Sequence, residues 1–227
     1  MKYLFAALAL FSVTLLSAQT SVGLYGAFGQ SGVRSGDAFD GLTNRLDQIG
    51  TATVGVTTLI PLTATLQFRP ALEYTSRGTS VGLTESLTVS GIPLPVGAKA
   101  KTRFAYVDVP LLLQYEPTVG GGIQPYVFAG PSIGYAVSGR LTTSAKAIID
   151  LNLYESSINL DAIRYDRFHV AATGGIGARG QLSESTQVFA KARYQHGLTQ
   201  PYDVPFIQDK VGFAGWNVGI GVLLRLN

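Results

Sequence analysis

The connections between the strand-like segments of this chain alternate in length, and this alternation limits the fold more than any other feature. Eight such segments are joined in the order long, short, long, short, long, short, long. The long connections are Ser31–Gly50, Arg77–Lys101, Gly139–Tyr165 and Gln200–Val211, and the short ones are Pro61–Thr63, Thr118–Ile123 and Ser183–Ser185. Outer-membrane barrels have short periplasmic turns and long external loops. The pattern therefore predicts an all-β fold, an eight-stranded antiparallel transmembrane β-barrel with short periplasmic turns and long extracellular loops.

The first residues have the features of an export signal. Lys2 gives a positive start, Leu4–Leu16 is apolar apart from two hydroxyl residues, and Ser17 and Ala18 are small residues before a cleavage point. The apolar run is too short for a spanning helix, which needs about 20 residues. We expect a signal peptide over residues 1–18 and a barrel domain over residues 19–227, in the bacterial outer membrane. The alternative is a buried N-terminal helix.

Composition supports strands rather than helices. Apolar residues are 46% of the chain but are dispersed, and 27 glycines and 10 prolines disfavour long helices. The 11 tyrosines and 11 phenylalanines are typical of strands and of membrane interfaces. The absence of cysteine excludes disulfides and thiolate metal sites. The charge of +3 is carried by scattered basic residues, so nucleic acid is not an expected partner.

The last segment shows the two faces of a strand most clearly, because strand side chains alternate between faces. Large apolar residues occupy one face, namely Trp216, Val218, Ile220, Val222, Leu224 and Leu226. The opposite face carries Asn217, Gly219, Gly221, Leu223, Arg225 and Asn227. The first face suits lipid and the second suits a narrow lumen. Trp216, Tyr194 and Tyr74 are predicted to lie at the membrane interface.

The same alternation along the other segments assigns a set of charged side chains to the lumen. They are Arg69, Glu73, Asp108, Arg179, Lys191, Arg193 and Arg225. An eight-stranded barrel is wide enough only to be filled by side chains or to hold one small ligand. Isolated buried charges are costly, so these groups are predicted to form a paired and hydrated polar network. A proton or small-ion path is the alternative. Pro70 is predicted to sit at a bulge.

Two segments carry a family resemblance. Tyr106–Tyr115 (YVDVPLLLQY) and Pro125–Tyr135 (PYVFAGPSIGY) resemble the Y-x-E-I-P-L-L-L-K and P-Y-x-x-A-G-x-x-x-G-Y strands of the outer-membrane β-barrel domain family, in its PorT-like group of small bacterial barrels. Two later segments also resemble that family, Gly174–Ala178 and Asn217–Gly221. Asp108 and Gln114 stand where the family more often has Glu and Lys. The resemblance implies a barrel architecture and carries no chemistry.

The sequence gives little support for a catalytic site or a metal site. The chain has two histidines, His169 and His196, and both are placed near the extracellular rim. His196 with a loop serine and Asp203 or Asp209 would make a nucleophilic set of the kind used by an acyltransferase or protease. No nucleophile elbow accompanies them. A zinc site usually needs three or four protein ligands. We expect no enzyme activity, no cofactor and no metal.

The long connections are the remaining functional surface. Alternating apolar residues within Arg77–Lys101 and Gly139–Tyr165 predict that strands extend beyond the membrane there, with edges that can bind another chain by β-addition. The leading hypothesis is a monomer in outer-membrane lipid with a structural or interaction role, contacting envelope proteins through its loops. A narrow transport or ligand-binding barrel is the second hypothesis, and a membrane-embedded enzyme is the third.

Overall fold

Nine strands form the fold in the computed structural model, which describes residues 20–34, 46–89, 92–146, 150–162, 165–199 and 212–226. Side chains are described for these residues except 34, 46, 83–89, 92–99, 145–146 and 150–153. The strands are β1 (Ser21–Arg34), β2 (Leu46–Pro61), β3 (Leu66–Val89), β4 (Ile92–Tyr115), β5 (Ile123–Lys146), β6 (Asp150–Ile158), β7 (Phe168–Gln181), β8 (Thr186–Gly197) and β9 (Gly212–Arg225). Within the described ranges, no helix is long and apolar enough to cross a membrane.

Eight of the strands close into a barrel, as predicted. Every pairing is antiparallel, and the order around the wall is β1-β2-β3-β4-β5-β7-β8-β9, with β9 pairing back onto β1. The register from Ser21↔Arg225 to Arg34↔Gly212 closes this last seam along the whole of β1. β6 stands outside the ring and pairs with the upper part of β5.

The periplasmic end has short turns. Residues 62–65 and 182–185 are tight connections, in which the amides of Leu62 and Leu182 donate to the carbonyls of Leu66 and Thr186 at 2.9 Å. The third connection spans residues 116–122. In this connection Gly121 has φ of 126°, a conformation that disfavours any residue with a Cβ.

The extracellular end is a sheet rather than a set of irregular loops. β3 and β4 stay paired from Arg77↔Phe104 up to Val89↔Ile92. Gly139–Lys146 of β5 pairs with β4 on one side and with β6 on the other. We use the name projecting sheet for β6 together with the extracellular parts of three wall strands. These parts follow Arg77 in β3, precede Phe104 in β4 and follow Ser138 in β5. The predicted strand extension in two long connections is therefore confirmed, and the connection Gln200–Val211 lies outside the described residues.

Pro70 does not produce a bulge, so that prediction is wrong. The register between β3 and β4 is the same at Pro70↔Leu111 and at Glu73↔Asp108. Register shifts occur elsewhere, at Gln48/Thr53, Ala105/Tyr106 and Thr143/Ser144. Proline lacks an amide donor, but its carbonyl still accepts a hydrogen bond from the Thr57 hydroxyl at 3.1 Å.

Candidate functional site: the filled lumen

A charged cluster occupies the middle of the lumen, centred on Glu73. Arg193 donates to both of its carboxylate oxygens, through Nη1 at 2.6 Å and Nη2 at 2.7 Å. The Tyr25 hydroxyl donates to the same carboxylate, and Lys191 Nζ lies 3.9 Å from Oε1. Lys191 also lies 3.5 Å from the centre of the Tyr25 ring. These four side chains are buried, so Arg193 and Lys191 share one carboxylate, and Lys191 also contacts an aromatic face.

Glycines on the inward face make room for this cluster. A Cβ at Gly55 would lie 2.8 Å from the Tyr25 ring, and one at Gly134 would lie 2.2 Å from Asp108 Oδ1. Gly55, Glu73, Asp108 and Gly134 are successive cross-strand partners in one row of the wall. Small residues in this row therefore let large polar and aromatic side chains fill a narrow interior.

Arg69 is held mainly by aromatic rings and amides. Its guanidinium carbon lies 4.6 Å from the centre of the Phe189 ring and 5.4 Å from that of Tyr126. Nη1 donates to Gln114 Oε1 at 2.9 Å, and Nη2 has no partner among the described protein atoms. Arginine over an aromatic face is stabilised by the ring quadrupole, and more strongly when water is excluded.

The upper lumen contains a second ion pair, between Arg77 and Asp108. Arg77 also donates to Gln195 Oε1 at 3.1 Å and lies over the Tyr106 ring at 4.6 Å. Asp108 Oδ1 and Gln195 Nε2 have no protein partner in the described structure. Buried polar atoms of this kind are usually satisfied by ordered water.

An aromatic plug closes the extracellular mouth. The Phe104 and Tyr165 rings stack with centroids 4.6 Å apart, and Phe213 lies 6.2 Å from Phe104. Leu160 belongs to the same buried cluster, and the Tyr165 hydroxyl is hydrogen-bonded to that of Tyr106. Leu160 and Tyr165, from the segment after β6, therefore pack at this mouth against aromatic residues of β4 and β9.

The base of this folded segment carries an exposed ion pair. Arg167 Nη2 donates to Asp161 Oδ2 at 2.7 Å, which raises the pKa of the Arg167 guanidinium. The Arg167 carbonyl accepts from the amide of Ala136 at 2.8 Å. These bonds tie the chain entering β7 to the rim of β5.

Glu116 organises the periplasmic end. Arg179 donates to Oε1 through Nε at 2.9 Å, and its Nη2 lies 2.6 Å from the same oxygen. Oε2 accepts from the side-chain amides of Gln67 and Gln114, both at 3.3 Å. A cavity of about 120 Å³ lies beside this cluster at the end of β9, next to Arg225.

The sequence placed five charged residues in the lumen that are almost fully buried here: Arg69, Glu73, Asp108, Lys191 and Arg193. Arg179 and Arg225 are partly exposed at the periplasmic end. Sequence reasoning missed Arg77 and Glu116. Arg77 was assigned to the start of a loop, although it continues the four-residue spacing of Arg69 and Glu73. Glu116 lies on the even-numbered inward face of β4, two residues beyond Gln114.

The two histidines lie on opposite faces of the wall and do not form one site. His169 is buried inside, where its Nδ1 is 3.1 Å from the Thr199 hydroxyl. His196 lies on the face of Tyr194, with ring centroids 6.5 Å apart. Asp203 and Asp209 lie outside the described residues. Among the residues that are described, no group of three His, Asp or Glu side chains is arranged to hold a metal.

The outer wall is apolar where the lumen is polar. Ile220 is 71% exposed and Val222 is 42% exposed, on the face opposite buried Leu223. Trp216 and Tyr194 are cross-strand partners near the extracellular end, and both are about half exposed, as is Tyr74 on β3. A polar interior inside an apolar wall with aromatic residues towards its edge is the arrangement of a transmembrane barrel.

Sequence comparison agrees with this arrangement. The sequence model described as "Outer membrane protein beta-barrel domain" matches residues 17–202. The chain belongs to this family. It is an outer-membrane β-barrel protein, and the resemblance seen in the strand motifs is confirmed at the level of the family. No protein of curated function has a sequence that matches it significantly.

Several solved bacterial outer-membrane proteins are similar in structure. Neisserial surface protein A (NspA) is 11% identical, with 92% of this chain and 98% of that chain covered and a TM-score of 0.42. OprG from Pseudomonas aeruginosa is 15% identical, with 92% and 98% covered and a TM-score of 0.42. Ail, the attachment invasion locus protein of Yersinia pestis, is 12% identical, with 91% and 99% covered and a TM-score of 0.35.

Proposed function

We propose that this member of the family is a closed, monomeric scaffold that presents the projecting sheet outside the cell, with a structural or interaction role in the envelope. Two features together support this proposal: the lumen is filled by side chains, and β6 pairs with another described strand along one edge only. Residues 1–18 act as the cleaved export signal, and Trp216, Tyr194 and Tyr74 anchor the barrel at the membrane interface.

The closed lumen argues against a wide channel. The buried charged groups of the described structure comprise four basic residues, Arg69, Arg77, Lys191 and Arg193, and three carboxylates, Glu73, Asp108 and Glu116. They bridge strands across the interior, and the aromatic plug lies above them. Removing either partner of such a pair destabilises the fold, because an unpaired buried charge is costly. These residues therefore serve the scaffold, as a polar network that fills the barrel.

The free edge of β6 is the feature best suited to a protein partner. Within the described ranges β6 pairs with β5 alone, so its other edge has no strand partner among the described residues. Tyr154 on this strand is 62% exposed. An exposed edge can accept an extended segment of another chain, with main-chain hydrogen bonds supplying affinity.

A photo-crosslinking amino acid placed at Tyr154 in intact cells tests this role. The expected result is a covalent adduct with an envelope protein. The same group at lipid-facing Tyr74 is the matched control and should give lipid adducts only. Shortening Gly139–Tyr165 to a tight turn should leave a folded, heat-modifiable barrel while removing the cellular phenotype. Equal protein adducts at both sites, or a full phenotype after shortening, would contradict the proposal.

Location has its own test. The mature protein should fractionate with the outer membrane, resist extraction by salt or carbonate, and begin at Gln19. Recovery as a soluble periplasmic protein would remove this part of the proposal.

A narrow transport or small-ligand barrel is the second candidate, because several buried polar atoms of the described upper lumen have no protein partner. They include Ser31 Oγ, Gln195 Nε2 and Asn217 Oδ1, which surround a cavity of about 20 Å³, room for roughly one water. Liposome swelling by small solutes would favour this candidate. Lipid or peptide turnover that depends on His196 would favour an enzyme.

A further inference from the structure

A small polar cavity opens at the periplasmic mouth of the barrel, and the structural role proposed above does not use it. Its volume is about 120 Å³, and its polar lining consists of Ser21, Gln67, Arg179, Gln187 and Arg225. Its lining by described residues includes two guanidinium groups and no carboxylate. We propose that this cavity binds a small oxyanion of phosphate or carboxylate chemistry, held principally by Arg225.

Arg225 supplies a positive charge that has no partner among the described residues. In the part of the chain that the structure describes, its side chain forms no hydrogen bond or ion pair, while its amide is fixed to the Ser185 carbonyl at 2.8 Å. It is partly buried, because β9 directs it towards the lumen. A guanidinium presents five donors in a planar fork that matches the geometry of carboxylate and phosphate.

The nearby carboxylate, that of Glu116, already has enough partners and cannot neutralise Arg225 in addition to them. Glu116 already takes Arg179 on Oε1 and the amides of Gln67 and Gln114 on Oε2. An ionised carboxylate offers about four lone-pair sites, and these contacts use that capacity. Among the described residues, no group neutralises Arg225, and its charge is available to a ligand.

The other groups around the cavity supply donors. Gln187 uses Oε1 to accept from Arg179 Nη1 at 3.4 Å, which leaves its NH₂ group able to donate. The Ser21 hydroxyl lines the same space. An anion seated here would receive charge-assisted bonds from Arg225 and neutral bonds from Gln187 and Ser21, and a cation would meet two guanidinium groups.

The size of the cavity limits the ligand. Its volume is several times the minimum that one water needs, so it has room for a few waters. That space suits one phosphate or carboxylate group with a residual water. It excludes sugars and acyl chains from the cavity itself, although the phosphate of a lipid headgroup could enter from the rim.

Calorimetric titration of inorganic phosphate into the barrel, held in phosphatidylcholine nanodiscs, tests this proposal. Saturable binding is expected, and Arg225→Gln should weaken it about tenfold or more, the loss expected for one charge-assisted hydrogen bond. Arg103→Gln is the matched control, because it removes the same charge from an exposed residue at the other end of the molecule. Should Arg225→Gln impair folding, Gln187→Glu provides a second variant, which should also abolish binding by repelling the anion.

A second lipid composition distinguishes a lipid phosphate from a soluble oxyanion as the ligand. If phosphatidylglycerol nanodiscs suppress phosphate binding by the wild-type protein, the ligand is a lipid phosphate. If they do not, the ligand is a soluble oxyanion. Absence of saturable binding in both lipids, or an equal loss in Arg103→Gln, would overturn the proposal.

Discussion

Arg193 and Glu73 form a brace across the full width of the barrel. They lie on β8 and β3, which are separated by three strands in either direction around the wall. Two parallel hydrogen bonds of 2.6 and 2.7 Å join the guanidinium to the carboxylate. A contact of this kind fixes the distance between opposite walls, in addition to the hydrogen bonds between adjacent strands.

Removing the charge of Glu73 should strongly destabilise the barrel. Glu73→Gln leaves Arg193 and Lys191 buried beside a neutral amide, and breaking a buried pair in this way costs about 3–5 kcal/mol. Urea unfolding in phospholipid vesicles, followed by gel mobility, measures the loss. Glu155→Gln breaks the exposed pair with Arg140 and should cost less than about 1 kcal/mol. Similar losses in the two variants would contradict the brace.

The lipid-facing register can be tested at two neighbouring pairs of positions. Spin labels at residues 220 and 222 should be quenched by a lipid-phase probe, whereas labels at 219 and 221 should not be. Ile220→Arg should cost about 2–4 kcal/mol if it lies at the membrane midplane. The reverse labelling pattern would mean that the register is shifted by one residue.

An interior glycine should tolerate a methyl group less well than an outward one. A Cβ at Gly177 would lie 2.3 Å from the Tyr126 ring, whereas one at Gly174 would meet its nearest atom at 3.8 Å. Gly177→Ala should therefore destabilise the barrel by about 1–3 kcal/mol through overpacking, and Gly174→Ala should have little effect. The two free energies of unfolding, measured side by side, check this difference.

The lumen should be closed to solutes. Purified monomers in planar bilayers should give no stable, large conductance, because Arg69, Lys191 and Arg193 fill the middle and Phe104 lies in the plug above them. Steady conductance of porin size would refute the closed scaffold and promote the transport hypothesis. Phe104→Ala in the same assay shows whether the plug contributes to closure.

The direction of insertion predicts where protease can cut. Proteinase K added to whole cells should cleave within Arg77–Lys101 or Gly139–Tyr165, because the projecting sheet lies outside the cell. It should leave Thr118–Ile123 intact, because that turn is periplasmic. Cleavage of this turn in intact cells would reverse the topology.

The alternating lengths of the connections were enough to predict the barrel, and the alternation of side chains along each strand predicted the direction of many inward groups. Glu73 and Arg193 each fall on the polar face of a two-residue repeat, and this repeat needs no knowledge of the partner strand. Their pairing could not be predicted, because it depends on which strands lie opposite each other once the barrel has closed. Lys191 illustrates the same limit: its contact with the Tyr25 ring joins two segments far apart in sequence.

Other features left no local signal. Leu160 and Tyr165 enter the mouth from the end of a connection whose alternation predicted a projecting strand, so their burial was not foreseen. Arg77 was missed because the strand was ended too early, and the chain continues with the same alternation into the projecting sheet. The prediction of a bulge at Pro70 failed because a strand can accommodate a residue without an amide donor and keep its register.

The unequal strand lengths make the rim of this barrel oblique. β3, β4 and β5 each have 24 residues, whereas β1, β7 and β9 have 14. At about 3.3 Å for each residue, one side of the wall is longer by roughly 33 Å of strand. In a crowded membrane, neighbours approaching from the β3–β5 side meet the projecting sheet, whereas the described strands on the β9 side end closer to the membrane. The described strands are therefore asymmetric about the membrane normal. Which side meets a neighbouring protein depends on how the molecule is rotated about that axis.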